Sequence, residues 1–178
     1  HLVFSTLHTN DAPSAIARLI DMGIEPFLLS SSLRMVIAQR LVRKICENCK
    51  AEKKISDVIK AKLLDEIRDI SEGEQKKLEI DPNGKVIFYY GKGCDTCNNS
   101  GFKGRLAIYE VVYMTESIKN LITEKGGNEP LVTEESKRLG YLNIKQDGLV
   151  KVLKGMTTIE EVERVTGVSR GSMEEEKI

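Results

Sequence analysis

Four cysteines are the residues of this sequence whose types and spacing could do chemistry. They form two C-x-x-C pairs, Cys46 with Cys49 and Cys94 with Cys97. The two thiolates of a C-x-x-C pair can converge on one metal ion from a tight turn, and two pairs supply the four ligands of tetrahedral Zn²⁺. Four protein ligands leave no open position for a catalytic water. The spacing therefore predicts a structural zinc ion.

Disulfides, or four unrelated buried thiols, are the alternative interpretations of these cysteines. Neighbouring C-x-x-C pairs make poor structural disulfides, and a redox dithiol needs only one pair. The 44 residues between Cys49 and Cys94 exceed what a compact zinc ribbon needs, so we expect an insertion there. Glycines around the second pair would permit turns that aim backbone N–H groups at the sulfurs, namely Gly91, Gly93, Gly101 and Gly104.

A polar cluster at residues 5–11 contains His8 and overlaps the end of an apolar, β-branched run at residues 2–7. The run predicts a buried strand, and ligands of α/β sheets bind beyond the carboxyl ends of strands. A histidine at such an end could hydrogen-bond a phosphate or a catalytic carboxylate. The alternative is a helix-capping or surface histidine.

The charge balance disfavours partners that are recognised by electrostatics alone. The 178 residues carry 27 Lys and Arg against 27 Asp and Glu, and between Cys46 and Cys97 ten basic residues face eleven acidic ones. A zinc-ribbon module that binds nucleic acid should be clearly basic, so it is the less favoured alternative, and we expect no nucleic-acid partner. A purely structural docking module is the other alternative.

The first residue is a histidine within an apolar run, so we expect the chain to be a fragment of a longer protein.

The first 45 residues have the order of an α/β layer. After the strand at 2–7, Asp11 can cap a helix that ends at Gly23, and a second helix is predicted from Pro26 to Ile37. A strand at residues 39–45 then leads into the first cysteine pair. Strand, helix, helix and strand resemble the last part of a larger sheet domain.

The remaining elements are predicted from caps and hydrophobic periodicity. Ser56 can cap a helix that extends to Ile70, and residues 78–80 and 86–90 read as a hairpin around the turn at 81–84. A strand is predicted at 105–114. Helices follow after Thr115, at 131–139, around 149–153 and after a capping box formed by Thr157 and Glu160, with a frayed tail from residue 169.

A phosphate-binding loop is absent from the sequence. The nearest candidate is Gly91-Lys92-Gly93, but G-x-x-x-x-G-K-[ST] would need glycine at position 86 and serine or threonine at position 93. Neither a Ser/His/Asp arrangement nor an H-E-x-x-H motif occurs. We therefore expect this chain alone to catalyse nothing.

Short motifs nevertheless occur in a fixed order along nearly the whole chain. HLVFSTLHTNDA at residues 1–12 resembles the His box of the secretion ATPases that serve type II secretion and type IV pilus assembly, and AQRLVR at 38–43 resembles their next segment. The retraction ATPases of pili share the His box but as a rule lack a tetracysteine module, so the module favours the secretion or assembly branch. The other matching segments are 93–97, 101–105, 108–110, 147–148 and 157–162.

The resemblance implies an α/β fold in three parts. Residues 1–45 would be the C-terminal segment of a RecA-like P-loop ATPase core, and residues 46–103 an inserted tetracysteine zinc-binding α+β module. Residues 104–178 would form a strand and a C-terminal helical subdomain. The parent would be a cytoplasmic, homohexameric, Mg²⁺-dependent ATPase at the inner membrane. It would reach that membrane only through partner proteins of the assembly platform, and its Walker motifs would lie upstream.

The resemblance also assigns site residues. His8, with His1 beside it, would sense the γ-phosphate of ATP or orient the attacking water. Arg40 and Arg43 could reach the nucleotide or a neighbouring subunit, although solvated flanks of a strand are an equal alternative.

Overall fold

The structure is a computed structural model that describes residues 1–70, 72–77 and 86–167. In these residues the chain forms eight α-helices, two short 3₁₀ turns and four strands, a mixed α/β arrangement. The elements in chain order are α1 (Ala12–Asp21), α2 (Pro26–Ser32), β1 (Met35–Ile45), β2 (Lys50–Lys53), α3 (Asp57–Arg68), α4 (Glu72–Lys77), β3 (Phe88–Gly91), β4 (Phe102–Tyr113), α5 (Glu116–Lys125), α6 (Glu129–Arg138), α7 (Ile144–Leu153) and α8 (Ile159–Thr166).

Two compact units make up the chain. The first consists of His1–Gln39 and Tyr109–Ile144, and the second of Arg40–Ile108 and Lys145–Ile178. The division into three domains, at 1–45, 46–103 and 104–178, stays a prediction.

The four strands form two small sheets. β1 pairs with β4, and β2 pairs antiparallel with β3 in a register that sets Lys50 opposite Gly91 and Lys53 opposite Phe88. Lys50 follows Cys49 directly, and Gly91 lies three residues before Cys94. The pairing of Lys50 with Gly91 therefore brings the two cysteine pairs close to each other.

The first unit has a core of its own, built by α1, α2, α5, α6 and the end of β4. The buried positions on α1 and α5 recur at helical spacing, so each of these helices turns one apolar face to the core. Gly127 sits against Ile16 and Ile20, where a larger residue would collide with their side chains. The fully packed members of this core are Ala12, Ile16, Leu29, Val112, Met114, Ile118, Ile122 and Val132.

The second unit packs the start of β4 against α7 and α8. Gly148 of α7 lies so close to α8 that an added Cβ would be 2.7 Å from a methyl group of Val162. The segment before α8 is bonded to β1, because Ile45 N–H donates to the Met156 carbonyl and the Thr157 hydroxyl donates to the Arg43 carbonyl. Glycine at 148 therefore permits the close contact of two helices.

Several predicted elements are confirmed together with their caps. Asp11 accepts from Ser14 N–H at 2.8 Å, Ser56 caps α3 and Thr115 caps α5. α5 ends at Gly126 in the left-handed conformation, with a φ of 60°, as a helix-stopping glycine does. The strand predicted at 105–114 is also present and starts three residues earlier, at Phe102.

Two strand and helix assignments in the first 45 residues are wrong. Residues 2–7 form no strand and their side chains are exposed, because no neighbouring strand in the described chain supplies hydrogen bonds to them. The second helix ends at Ser32, and Val36 and Ile37 belong to β1 instead. Both residues are β-branched, and the strand to which they belong pairs with β4.

Three further predictions need correction or fall outside the described residues. Thr157 does not cap α8, since its hydroxyl is used on Arg43 and the cap position belongs to Thr158. β3 pairs with β2, and the other arm of the predicted hairpin, at 78–80, lies outside the described residues, as does the predicted tail from residue 169. α4 was not predicted.

Candidate functional site

The structure brings the four cysteines together in the second unit. Cys46 directly follows the last residue of β1, and Cys49 is the last residue of a short 3₁₀ turn, Glu47–Cys49. A second 3₁₀ turn, Asp95–Cys97, does the same for Cys94 and Cys97. Cys46 and Cys97 are buried and the other two are half-buried.

The distances between the sulfur atoms match tetrahedral metal coordination. Cys46 Sγ is 3.9 Å from Cys94 Sγ, Cys49 Sγ is 3.9 Å from Cys97 Sγ, and Cys94 Sγ is 3.7 Å from Cys97 Sγ. All four sulfurs lie within 4.8 Å of one another. A tetrahedron with Zn–S bonds of about 2.3 Å has edges of about 3.8 Å. A disulfide would bring two sulfurs to about 2 Å, and all four cysteines are free.

Backbone N–H groups favour the thiolate form at one of these sulfurs. Burial raises the pKa of Cys97, but the N–H groups of Cys94 and Gly101, each 3.3 Å from its sulfur, outweigh burial and lower the pKa to about 6. Burial raises the pKa of Cys49 to about 12. Together the four sulfurs are a soft donor set that could hold a metal ion.

Glycines allow the two cysteine turns to meet. Gly91 and Gly101 approach each other backbone to backbone, and a Cβ on either would overlap the carbonyl oxygen of the other. Gly93 has a φ of +94°, which an L side chain rarely adopts. Lys92 N–H donates to the Cys49 carbonyl and Cys46 N–H donates to the Gly101 carbonyl, so backbone bonds link the two turns across the long insertion.

The predicted histidines lie elsewhere, in the first unit. His1 and His8 are both exposed, in the irregular segment that precedes α1. The first N–H groups of α1 already have acceptors, since Ser14 N–H donates to Asp11 and Ala12 N–H donates to Glu110 Oε2 at 3.0 Å. The structure thus does not bring the histidines together with the cysteines within one unit.

Glu110 is a residue that motif reading did not assign a role. It lies on β4 between Ile108 and Val112, on the face that points into the protein, and only 6% of it is exposed. Burial raises its pKa, the Ala12 N–H lowers it, and the nearby charge of Asp11 raises it again. A carboxylate among inward-facing apolar residues of a strand was the signal that could have revealed it.

The two candidate arginines lie on β1 in the second unit. Arg43 is held by Glu161: its guanidinium is 2.7 Å from the carboxylate, and its backbone N–H also donates to Glu161 at 2.8 Å. The Arg43 guanidinium stacks on Phe102 at 4.2 Å from the ring centre. Arg40 is half-buried. Glu161, which is 1% exposed, is a second polar anchor that motif reading missed.

Among the described residues, none of the helices combines the length and the apolar character that crossing a bilayer requires.

Comparison with known proteins places these features in a family. The profile described as "Type II/IV secretion system protein" matches residues 1–164. The chain is 44% identical over 166 residues to the type II secretion system ATPase E of Vibrio cholerae, covering 93% of this chain and 30% of that protein. It is 41% identical over 162 residues to the type IV pilus assembly ATPase PilB of Myxococcus xanthus, covering 91% of this chain and 26% of that protein.

The chain thus spans less than a third of the length of these two relatives. The similarity covers both the segment with the histidines and the segments with the cysteines, because the matched residues run from 1 to 164. The expected resemblance is confirmed, and the chain belongs to the type II/IV secretion system protein family.

Proposed function

We propose that this chain is the C-terminal part of a hexameric motor ATPase that powers type II protein secretion or type IV pilus assembly. The observation that carries the proposal is the four-sulfur cluster, found in a chain that is similar along most of its length to proteins named secretion and pilus assembly ATPases. The nucleotide-binding loops belong to the rest of the protein, and this chain alone hydrolyses no ATP.

Zinc is the proposed occupant of the cluster, held by Cys46, Cys49, Cys94 and Cys97. The fit rests on three sulfur separations of 3.7–3.9 Å, on all four sulfurs lying within 4.8 Å of one another, and on the soft character of sulfur donors. A Zn²⁺ ion with four thiolates would cross-link the end of β1 to the segment before β4 and take no part in catalysis. The chain's own contribution is to hold these sulfurs in place by backbone bonds between the two turns.

His8 is the proposed contact to ATP, with His1 as a second imidazole. In phosphoryl transfer a protein mainly positions the reacting groups and stabilises the charge on the phosphoryl oxygens. An exposed imidazole N–H can donate to a phosphate oxygen or to the attacking water. Mg²⁺ would accompany ATP in the whole enzyme. Arg40 and Arg43 are the proposed candidates for a contact to the nucleotide or to a neighbouring subunit, and the Arg43 guanidinium also contacts Glu161 and Phe102.

The setting of the motor follows from this proposal. The hexamer would work in the cytoplasm at the inner membrane and would be attached to it through assembly-platform proteins. The zinc-clamped part and the C-terminal helices would serve as rigid surfaces that transmit motion or dock partners, since a clamp makes a small unit stiff.

ATP hydrolysis by the purified full-length protein tests the proposal. We expect Mg²⁺-dependent turnover that His8→Ala reduces by about a hundredfold or more, with the fold retained in circular dichroism. Ser31→Ala is the matched control, because this exposed α2 residue bonds only locally, to the Leu28 carbonyl, in the first unit. A full-length protein without ATP hydrolysis would refute the motor function, and wild-type turnover by His8→Ala would refute the role of His8.

A further inference from the structure

Glu110 joins β4 to the start of α1. Its Oε2 accepts the N–H of Ala12 at 3.0 Å, a buried hydrogen bond between residues 98 positions apart in the sequence. Ala12 itself is fully buried. The bond therefore fixes the first residue of α1 to a strand of the same unit.

Two carboxylates accept N–H groups from the first turn of α1. Ala12 N–H donates to Glu110, Pro13 has no N–H, and Ser14 N–H donates to Asp11. Carboxylates are favourable there because a helix N-terminus carries a partial positive charge. Asp11 fixes the turn from within its own segment, whereas Glu110 fixes it from outside. The starting point of α1 is thus determined by β4.

Stability alone gives no reason for a carboxylate at position 110. Its neighbours on the same face of β4, Ile108 and Val112, are fully buried and apolar. Burial raises the pKa of Glu110, which shows that ionisation is penalised at this site. An apolar residue would pack at lower cost, since buried charges often contribute less than hydrophobic replacements. Glu110 instead provides a directed hydrogen bond.

His8 lies four residues before Ala12, in the segment that leads into the anchored start of α1. Thr9 adds a local link, because its hydroxyl donates to the Asp11 carbonyl at 3.2 Å. We propose that Glu110 is a positioning residue for His8, which sets the place from which the imidazole reaches ATP by fixing the start of α1 on β4. The inference rests on the proposed function of His8, while the bond that carries it is independent of that function.

The test compares three variants of the full-length protein: Glu110→Ala, Glu110→Gln and Val132→Ala. Glu110→Ala removes the acceptor, and Glu110→Gln keeps a carbonyl oxygen that can accept from Ala12. Val132 is a fully buried residue of α6 in the same unit and serves as the matched control for lost stability. Steady-state ATP hydrolysis is measured well below the unfolding temperature of each variant. Amide exchange of Ala12 is measured in parallel on the 178-residue chain.

We expect Glu110→Ala to lower kcat by about tenfold or more while the KM for ATP changes by less than about threefold, because misplacing a group costs transition-state interactions. Glu110→Gln should keep most of the turnover, and Val132→Ala should lose stability but less than about half of its kcat. Ala12 should exchange at least about tenfold faster in Glu110→Ala than in the wild type or in Glu110→Gln.

Equal kcat values in Glu110→Ala and Val132→Ala would overturn the inference, because the residue would then be only structural. Glu110→Gln as impaired as Glu110→Ala would also overturn it, since the hydrogen bond could not be the cause. His8→Ala with full turnover would refute the His8 assignment and with it the link to Glu110. If the wild type hydrolyses no ATP, the motor proposal fails by itself, and unchanged Ala12 exchange in Glu110→Ala would separately overturn the proposed anchoring.

Discussion

The backbones of Gly91 and Gly101 approach each other so closely that no side chain fits between them. An added Cβ on Gly91 would overlap the carbonyl oxygen of Gly101, and the reverse substitution has the same effect. Gly91 ends β3, and Gly101 N–H donates to the sulfur of Cys97. The approach of two glycines therefore holds one of the four sulfurs in position.

Gly91→Ala should damage the cluster without touching a cysteine. The methyl group must push two backbone segments apart, and we expect a loss of about 2 kcal/mol or more in the free energy of unfolding, with weaker zinc binding. Competition with a chromophoric chelator measures the zinc affinity, and urea unfolding measures the stability. The matched control is Gly73→Ala in α4, where nothing lies within 4 Å of an added Cβ. Equal stability and zinc affinity of the two variants would contradict the steric account.

Cys94→Ser should release the metal and loosen residues 46–103. A serine hydroxyl is a poor substitute for a thiolate on zinc, and metal binding is coupled to folding in small clamped modules. Elemental analysis of the purified variant gives the zinc content, and amide exchange reports the loosening. Thr96→Ala is the matched control, because Thr96 lies between the cysteines of the same turn and its hydroxyl only accepts from Asn48. One zinc ion per chain retained by Cys94→Ser would argue against four-sulfur coordination.

Glu161 should stabilise the second unit in a pH-dependent way. Burial would raise its pKa, but hydrogen bonds from Arg164 and Arg43 lower it to about 2, from a usual value of 4.5. A carboxyl with a lowered native pKa stabilises the fold above its unfolded pKa and loses that contribution as the pH falls from 4.5 towards 2. Glu161→Gln should therefore cost on the order of 2 kcal/mol at pH 7, reduced from the full shift because both arginines are half-exposed.

Urea unfolding between about pH 7 and pH 3 checks the prediction for Glu161. The difference between wild type and Glu161→Gln should shrink below pH 4.5. Glu160→Gln on the same helix is the matched control, since Glu160 pairs with Lys53 at the surface and such pairs contribute about 1 kcal/mol or less. A Glu161→Gln variant as stable as Glu160→Gln, or a difference independent of pH, would contradict this role.

Local signals predicted much of the fold correctly. Three predicted helix caps are present, at Asp11, Ser56 and Thr115. Each side-chain oxygen accepts from an N–H three residues later, so both partners of the bond are visible in a short stretch of sequence. The convergence of the four cysteines was also predictable, because each C-x-x-C spacing already defines half of a tetrahedral site.

Features that depend on distant residues could not be predicted in the same way. The run at residues 2–7 has the composition of a strand, but a strand also needs a partner, and composition does not supply one. Thr157 has the spacing of a helix cap, yet its hydroxyl bonds to the carbonyl of Arg43, 114 residues away. Glu110 and Glu161 likewise accept hydrogen bonds from residues that are far away in the sequence, Ala12 and Arg43.

The zinc content of the purified 178-residue chain tests the central claim most directly. The chain is purified without added metal and without chelator, its zinc is measured by elemental analysis, and its fold is monitored by circular dichroism. The account predicts one zinc ion per chain, and loss of structure when a strong chelator removes it. A fully folded preparation that contains no metal would contradict it.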